Sequence, residues 1–233
     1  VRSGATNTLA VRLENKHESS RWYPGAGLYR NVHLTITSPT YIPLWGTRIQ
    51  TPSVSSEHAY VSVETKVAGL SRLAGRPLSI KTTILSPEGK VVAERSEELT
   101  TKGAAGDSIY RTGFDISAPQ LWDINQPHLY KYAVTLSDGA QVLDRDTTTF
   151  GIRSIELKAG EGFFLNGRKL KFQGACLHHD LGPLGAAVNE AAMRRQIRLM
   201  QDMGVNAIRT SHNMPAPEFV RLCDEMGMPL MAE

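Results

Sequence analysis

The sequence is short of several things, and each shortage excludes something. Two cysteines in 233 residues, Cys176 and Cys223, are too few for a disulfide framework and sit in no zinc-finger spacing. Both are therefore expected to be reduced and buried. Charge of either sign is not in excess: 26 Lys and Arg against 23 Asp and Glu leave a net +3 with no basic run. That balance removes the electrostatic footprint of a nucleic-acid or anionic-membrane binder. No stretch approaches the roughly 20 consecutive apolar residues of a bilayer span. No Asn-x-Ser/Thr glycosylation acceptor occurs. The opening Val1-Arg2-Ser3-Gly4 has neither an initiator Met nor an apolar signal core, as expected of a segment of a longer protein. The compartment stays open between cytoplasm and periplasm or exterior. What is present, 41% apolar and 21% charged residues, belongs to a soluble globular chain of one or two domains.

From Val1 to about Arg153 the signals are those of strands. Thr8 to Leu13 and Tyr29 to Thr37 alternate apolar with polar residues, as half-buried strands do, on either side of an aromatic and glycine loop at Arg21-Trp22-Tyr23-Pro24-Gly25. Pro39 and Pro43 break this pattern, and new strands begin near Gly46. They continue through Ala59–Ala68, Leu78–Leu85, Val91–Leu99, Ser108–Ile116, Tyr130–Leu136 and Gln141–Phe150. That spacing is an immunoglobulin-like sandwich's, with turn chemistry at Ser86-Pro87-Glu88-Gly89 and Ser137-Asp138-Gly139. Trp45 and Trp122 are expected in its core.

After Phe150 the period changes. Leu170 to Cys176 reads as a strand, and Asn189 to Met203 as a helix capped by Asn189 and stopped by Gly204, with Ala192, Ile197, Leu199, Met200 and Met203 as its apolar face. A strand at Val205–Thr210, a helix at Ala216–Met226 with Pro217 in its first turn and Gly227 after it, and a strand at Pro229–Ala232 follow. Strand and helix in alternation begin a parallel β/α fold.

Ligands of such folds gather at the carboxyl ends of the strands. His178-His179-Asp180 follows the first strand and Arg209-Thr210-Ser211-His212-Asn213 the second. His178, Asp180, Arg209, His212 and Asn213 are therefore expected to face one pocket. Three chemistries compete there. Histidines and an aspartate suit a metal, although no His-x-x-x-His spacing occurs. Ser211 or Cys176 could serve as a nucleophile, but Ser211 and His212 are adjacent and would point apart. Recognition of a polyol by His, Asp, Asn and Arg fits the residue types best, and the loop aromatics Trp22 and Tyr23 suit a sugar ring.

The motifs carry a resemblance. Asn206-Ala-Ile-Arg-Thr-Ser-His212-Asn-Met-Pro215, with Leu222-Cys-Asp224 and Gly227, resembles the signature of family 2 glycoside hydrolases, the group of β-galactosidases, β-glucuronidases and β-mannosidases. Gly174-Ala-Cys-Leu-His178-His179-Asp180 is similar to a second family segment, with Cys176 where Asn is usual. Leu121-Trp122-Asp123 with Pro127-His-Leu-Tyr130 and Phe150-Gly-Ile-Arg153 resembles the end of the family's immunoglobulin-like domain. Ser20 to Arg30 resembles the last part of its amino-terminal jelly roll.

The resemblance implies a multidomain chain: the end of a jelly-roll β-sandwich (1–43), an immunoglobulin-like β-sandwich (44–152) and the first β/α units of an incomplete (β/α)8 TIM barrel (153–233). It implies retaining hydrolysis of terminal β-glycosidic bonds by the parent protein, most closely as a β-galactosidase. A β-glucuronidase or β-mannosidase segment is the alternative, and a non-catalytic carbohydrate-binding or scaffold module is a third reading. His178 and His212 match sugar-binding histidines, Arg209 an arginine that holds the nucleophilic carboxylate, and Asp180 an acidic position beside the pocket. Arg21 stands where some relatives have a sugar-binding aspartate. The family's two catalytic glutamates follow its fourth and seventh barrel strands, so no residue here, Glu233 included, is expected to be one of them. The expected partner is a β-linked oligosaccharide or glycoside, with no nucleic acid and no membrane. No cofactor is expected, a cation and an oligomeric state being left to the parent protein.

Overall fold

The computed structural model describes residues 2, 4–18, 27–73, 75–101 and 106–233. Seven strands form two facing antiparallel sheets. They are β1 (Thr47–Val54), β2 (His58–Val67), β3 (Leu78–Leu85), β4 (Val91–Leu99), β5 (Ser108–Ser117), β6 (Tyr130–Asp138) and β7 (Gln141–Phe150). One sheet has the order β1-β2-β5, the other β4-β3-β6-β7. The alternation in sequence is the alternation in space. Ala59, Val61, Val63 and Val67 of β2 point inward against Leu78, Ile80 and Ile84 of β3 and Tyr132, Val134 and Leu136 of β6. Each such side chain contributes about 1.5–3 kcal/mol by leaving water, and this burial holds the sandwich without a disulfide. Thr65 and Tyr132, both fully buried, bond each other across the core at 3.0 Å, and burial pushes the Tyr132 phenol up to about 12.

Three short strands follow as a meander, β8 (Ile155–Lys158), β9 (Gly162–Leu165) and β10 (Arg168–Lys169). The sequence reading passed over this meander, although Asn166-Gly167 is a strong two-residue hairpin signal; both residues have positive φ, 52° and 73°. The strand expected from Leu170 is accordingly β11 (Gly174–Leu177), starting four residues later. Then come α1 (Glu190–Asp202), β12 (Ala207–Thr210), α2 (Pro217–Met226) and β13 (Leu230–Met231). The three strands pair in parallel in the order β11-β12-β13, with the helices on one face. No helix among the described residues is long and apolar enough to cross a membrane.

Local chemistry sets the helix ends as expected. Asn189 Oδ1 accepts the amide of Ala192 at 3.0 Å, and Gly227 ends α2 in the left-handed region at φ 69°. The face of α1 is rotated from the expected one. Met193 and Ile197 are buried and Met200 packs on them, whereas Leu199 and Met203 are exposed, because the 193, 197, 200 spacing follows the helical stripe over β12.

Three other expectations are overturned. Thr8–Leu13 and Tyr29–Thr37 carry the alternation of strands but form no ladder, and Leu9, Val11, Val32, Leu34 and Ile36 are all exposed. A strand is completed by its partner's hydrogen bonds, and no described residue supplies them. Trp45 is 83% exposed at the turn before β1, where its φ of 56° places it outside the pleat. Cys176 is exposed rather than core, by parity: Leu177, Ile208 and Leu230 face the helices, so Cys176, Arg209 and Met231, side by side in the register, face away from them.

Trp122 is buried as expected, but in a seam and not within the sandwich. Its backbone N–H bonds the Ile152 carbonyl at 2.8 Å, and its indole Nε1–H reaches the Asp224 carbonyl of α2 at 2.8 Å. A Cβ on Gly151 would lie 2.7 Å from the Trp122 Cβ, so only glycine lets the chain pass. The Arg153 guanidinium sits 5.0 Å above the ring. Alongside, Asp123 pairs with Arg168 at 2.7 Å, and Asn166 donates to the Trp122 carbonyl. Gly227 packs so closely that a Cβ there would come within 2.4 Å of the Ile124 carbonyl oxygen.

Two predictions follow from burial. Trp122→Phe keeps most of the ring but leaves the Asp224 carbonyl unpaired, and should cost about 1–3 kcal/mol, against about 3–5 for Trp122→Ala, read from urea unfolding midpoints. An unchanged midpoint for both would mean that the seam carries no stability. The two thiols should also separate. Cys223 is pushed to about 12 by burial, with Asp224 adding to it, while the exposed Cys176 thiol is drawn below the usual range by the Ser211 hydroxyl and then by Arg209. Iodoacetamide on the native protein should therefore label Cys176 alone, faster as pH rises toward 9, and Cys223 only after unfolding.

Candidate functional site

Strand parity builds the site. Cys176, Arg209 and Met231 lie abreast on the face away from the helices, and residues two further along each strand, His178 and Glu233 among them, emerge on the same side. Arg209 extends along this face to Glu233: Nε donates to Oε1 at 3.1 Å, and Nη2 donates to the same oxygen. The other carboxylate oxygen lies 3.1 Å from Nδ1 of His212. The Glu233 backbone N–H bonds Thr210 Oγ1 at 3.1 Å, which ties the end of β13 to the end of β12. Arg209 and then His212 hold the Glu233 carboxyl below its ordinary range. Nη1 of Arg209 also reaches the Cys176 sulfur at 3.8 Å.

A cavity opens beside this cluster. Its walls include His178, Asp180 and Asn213, with Leu177, Val188 and Phe219 below them. The rings of His178 and His212 meet edge to face at 6.3 Å, so the two groups adjoin. Asp180 is held in its loop, its Oδ1 accepting the Gly182 N–H at 2.7 Å. Of the five expected residues, three line the cavity and two, Arg209 and His212, belong to the neighbouring ion-pair cluster.

The amino-terminal stretch closes one side. Arg30 donates to the carbonyls of Met214 and Pro215, and Asn31 Nδ2 reaches Glu218 at 3.2 Å. This anchors Tyr29, which stacks on His179 at 5.6 Å. Trp22, Tyr23 and Arg21 lie outside the described residues.

The competing chemistries separate on geometry. Among the described residues no three His, Cys, Asp or Glu side chains are grouped to hold a metal ion. Ser211 is buried, and the adjacent His212 turns its Nδ1 to Glu233, so among the described residues no base is hydrogen-bonded to the Ser211 hydroxyl. Hydrogen-bonding groups around a cavity with one apolar wall remain, an arrangement for binding polar rings. Sequence reasoning missed Glu233, Tyr29 and Arg30. The rule that marked Arg209 and His178, position at a strand's carboxyl end, applied equally to Glu233.

Comparison with known proteins agrees with this geometry. Residues 41–153 match the model of glycosyl hydrolases family 2, and residues 155–233 that of the family's TIM barrel domain. A β-galactosidase of Bacteroides ovatus is 41% identical over 97% of this chain, and a putative β-glucuronidase of Formosa agariphila 38% over 97%. The chain spans 27% and 21% of their lengths. A crystal structure of a glycosyl hydrolase family 2 member from Bacteroides cellulosilyticus superposes with a TM-score of 0.88 at 34% identity, covering 94% of this chain and 30% of that one. A Bacteroides uniformis β-glucuronidase superposes at 0.72 with 29% identity, over 83% and 24%. With one family's sandwich and barrel models meeting end to end along residues 41 to 233, the chain belongs to glycosyl hydrolase family 2.

Proposed function

We propose that this chain is part of a retaining glycoside hydrolase acting on terminal β-glycosidic bonds, and that it supplies sugar contacts through His178, Asp180, Arg209, His212 and Asn213. In this reading residues 1–43 close a jelly-roll domain, 44–152 form the immunoglobulin-like domain and 153–233 open the catalytic barrel. The observation that carries it is the convergence of imidazole, amide, guanidinium and carboxylate groups at the carboxyl ends of parallel strands, beside a cavity.

Retaining hydrolysis needs a carboxylic acid and a carboxylate about 5–5.5 Å apart, flanking the bond. Glu233 does not fit either role, since both its oxygens are committed to Arg209 and His212. The chain's part is therefore binding and orientation. Charge favours a neutral sugar: among the described residues, Arg30 and Arg209 at the site are balanced by Asp180 and Glu233, which leaves no surplus cation among them for a uronate carboxylate. Galactoside is thus preferred over glucuronide, although relatives of both names match the chain.

In the enzyme that contains this chain, kcat/KM for an aryl β-galactoside should exceed that for the matching β-glucuronide. His212→Ala should lower the former about 10–100-fold, the size of one lost hydrogen bond at a desolvated hydroxyl. Preference for the glucuronide would reverse the sugar assignment, and hydrolysis of neither would remove the glycosidase reading. Residues 1–233 expressed alone should hydrolyse neither substrate, since both carboxylates are expected from elsewhere.

A further inference from the structure

Glu233 stands between two donors. One of its oxygens takes the Nε and Nη2 protons of Arg209, and the other lies 3.1 Å from Nδ1 of His212. A carboxylate held ionised by a guanidinium is an acceptor only. A bare Nδ1 at that distance would set lone pair against lone pair, so Nδ1 must carry the proton. Arg209 Nη2 lies 3.4 Å from the same nitrogen, and its second hydrogen competes for that position, but the ionised carboxylate oxygen is nearer, at 3.1 Å, and its attraction for an N–H places the proton. A neutral imidazole has one N–H; with that proton on Nδ1, Nε2 is left with a lone pair. The His212 side chain is half exposed, and none of the described residues bonds Nε2.

We propose that Glu233 is a positioning residue: it clamps Arg209 with one oxygen and the Nδ1–H of His212 with the other, fixing His212 in the tautomer whose Nε2 accepts a hydrogen bond from a ligand hydroxyl. The assignment of a sugar hydroxyl as that donor rests on the binding role proposed above; the tautomer does not. The clamp is rigid because Glu233 is itself tethered at its backbone to Thr210, and Arg209 is fixed in register between Cys176 and Met231.

The test is Glu233→Gln, which preserves shape on a partly exposed side chain and replaces two acceptor oxygens by one. Arg209, a donor only, claims that oxygen, so the new amide NH2 faces Nδ1 and His212 must accept there. Long-range 1H–15N spectra, followed with rising pH until the ring nitrogen shifts no longer change, read the tautomer directly. The wild type should show a protonated Nδ1 and a bare Nε2, and Glu233→Gln should show the reverse. Glu233→Asp, which keeps a carboxylate, should retain the wild-type tautomer in at least part of the population. A wild type with the proton on Nε2, or a Glu233→Gln protein with the wild-type pattern, would overturn the proposal. Saturating methyl β-D-galactopyranoside should in addition shift the wild-type Nε2 resonance in the sense of a hydrogen-bonded acceptor. If the tautomers behave as stated and the sugar causes no shift, the sugar assignment fails and the positioning role stands.

Discussion

The structure depends most on how Trp122 is held. An indole carries a large apolar surface and one N–H that cannot be buried unpaired. Here the surface is enclosed by Gly151 and Arg153, and the N–H is answered by the Asp224 carbonyl at the end of α2. The sandwich thereby grips the β/α segment through a backbone atom, whose position is fixed by the helix itself. Asp123 to Arg168 and Ile124 against Gly227 lie on either side of the same contact. The loop between β5 and β6 thus sets where the parallel strands stand, and with them every side chain of the candidate site.

From that fixed sheet the site follows by parity alone. The helices claim Leu177, Ile208 and Leu230, and the other face is left to Cys176, Arg209 and Met231. Polar side chains there have no core to join, and they pair among themselves in a chain from the thiol through the guanidinium and carboxylate to the imidazole. The amino-terminal stretch adds Tyr29 from outside the sheet, held by carbonyls of the β12–α2 connection.

Much of this was legible before any coordinates. β3, β4 and β7 have the bounds expected from the sequence, because the turns at Ser86-Pro87-Glu88-Gly89 and Ser137-Asp138-Gly139 fix an end of each, and β3 in addition alternates strictly between buried and more exposed residues. The caps of α1 and α2 were readable from Asn189 and Gly227, since those residues do their work locally. What could not be read depended on partners far away in sequence. The alternation at Thr8–Leu13 is a strand's, yet a ladder is made by the neighbour, and none of the described residues pairs with it. The exposure of Cys176 depends on which side the helices pack, which its own apolar surroundings in sequence do not reveal. Of the site, the residues at two strand ends were foreseen; the carboxylate that organises them was seen only as an endpoint, because its role lies in bonds to Arg209 and His212, over 20 positions away.

The hydroxyl pair of Thr65 and Tyr132 has a consequence beyond its own hydrogen bond. Most other contacts between the two sheets in the core are apolar, aliphatic and aromatic, and slide past one another at little cost in contact area. A shift of one sheet by a single residue would part the two oxygens, Thr65 Oγ1 and Tyr132 Oη, in a region that water does not reach. That pair therefore works as a detent: it adds little to how strongly the sheets adhere, and it selects the one alignment at which they stop.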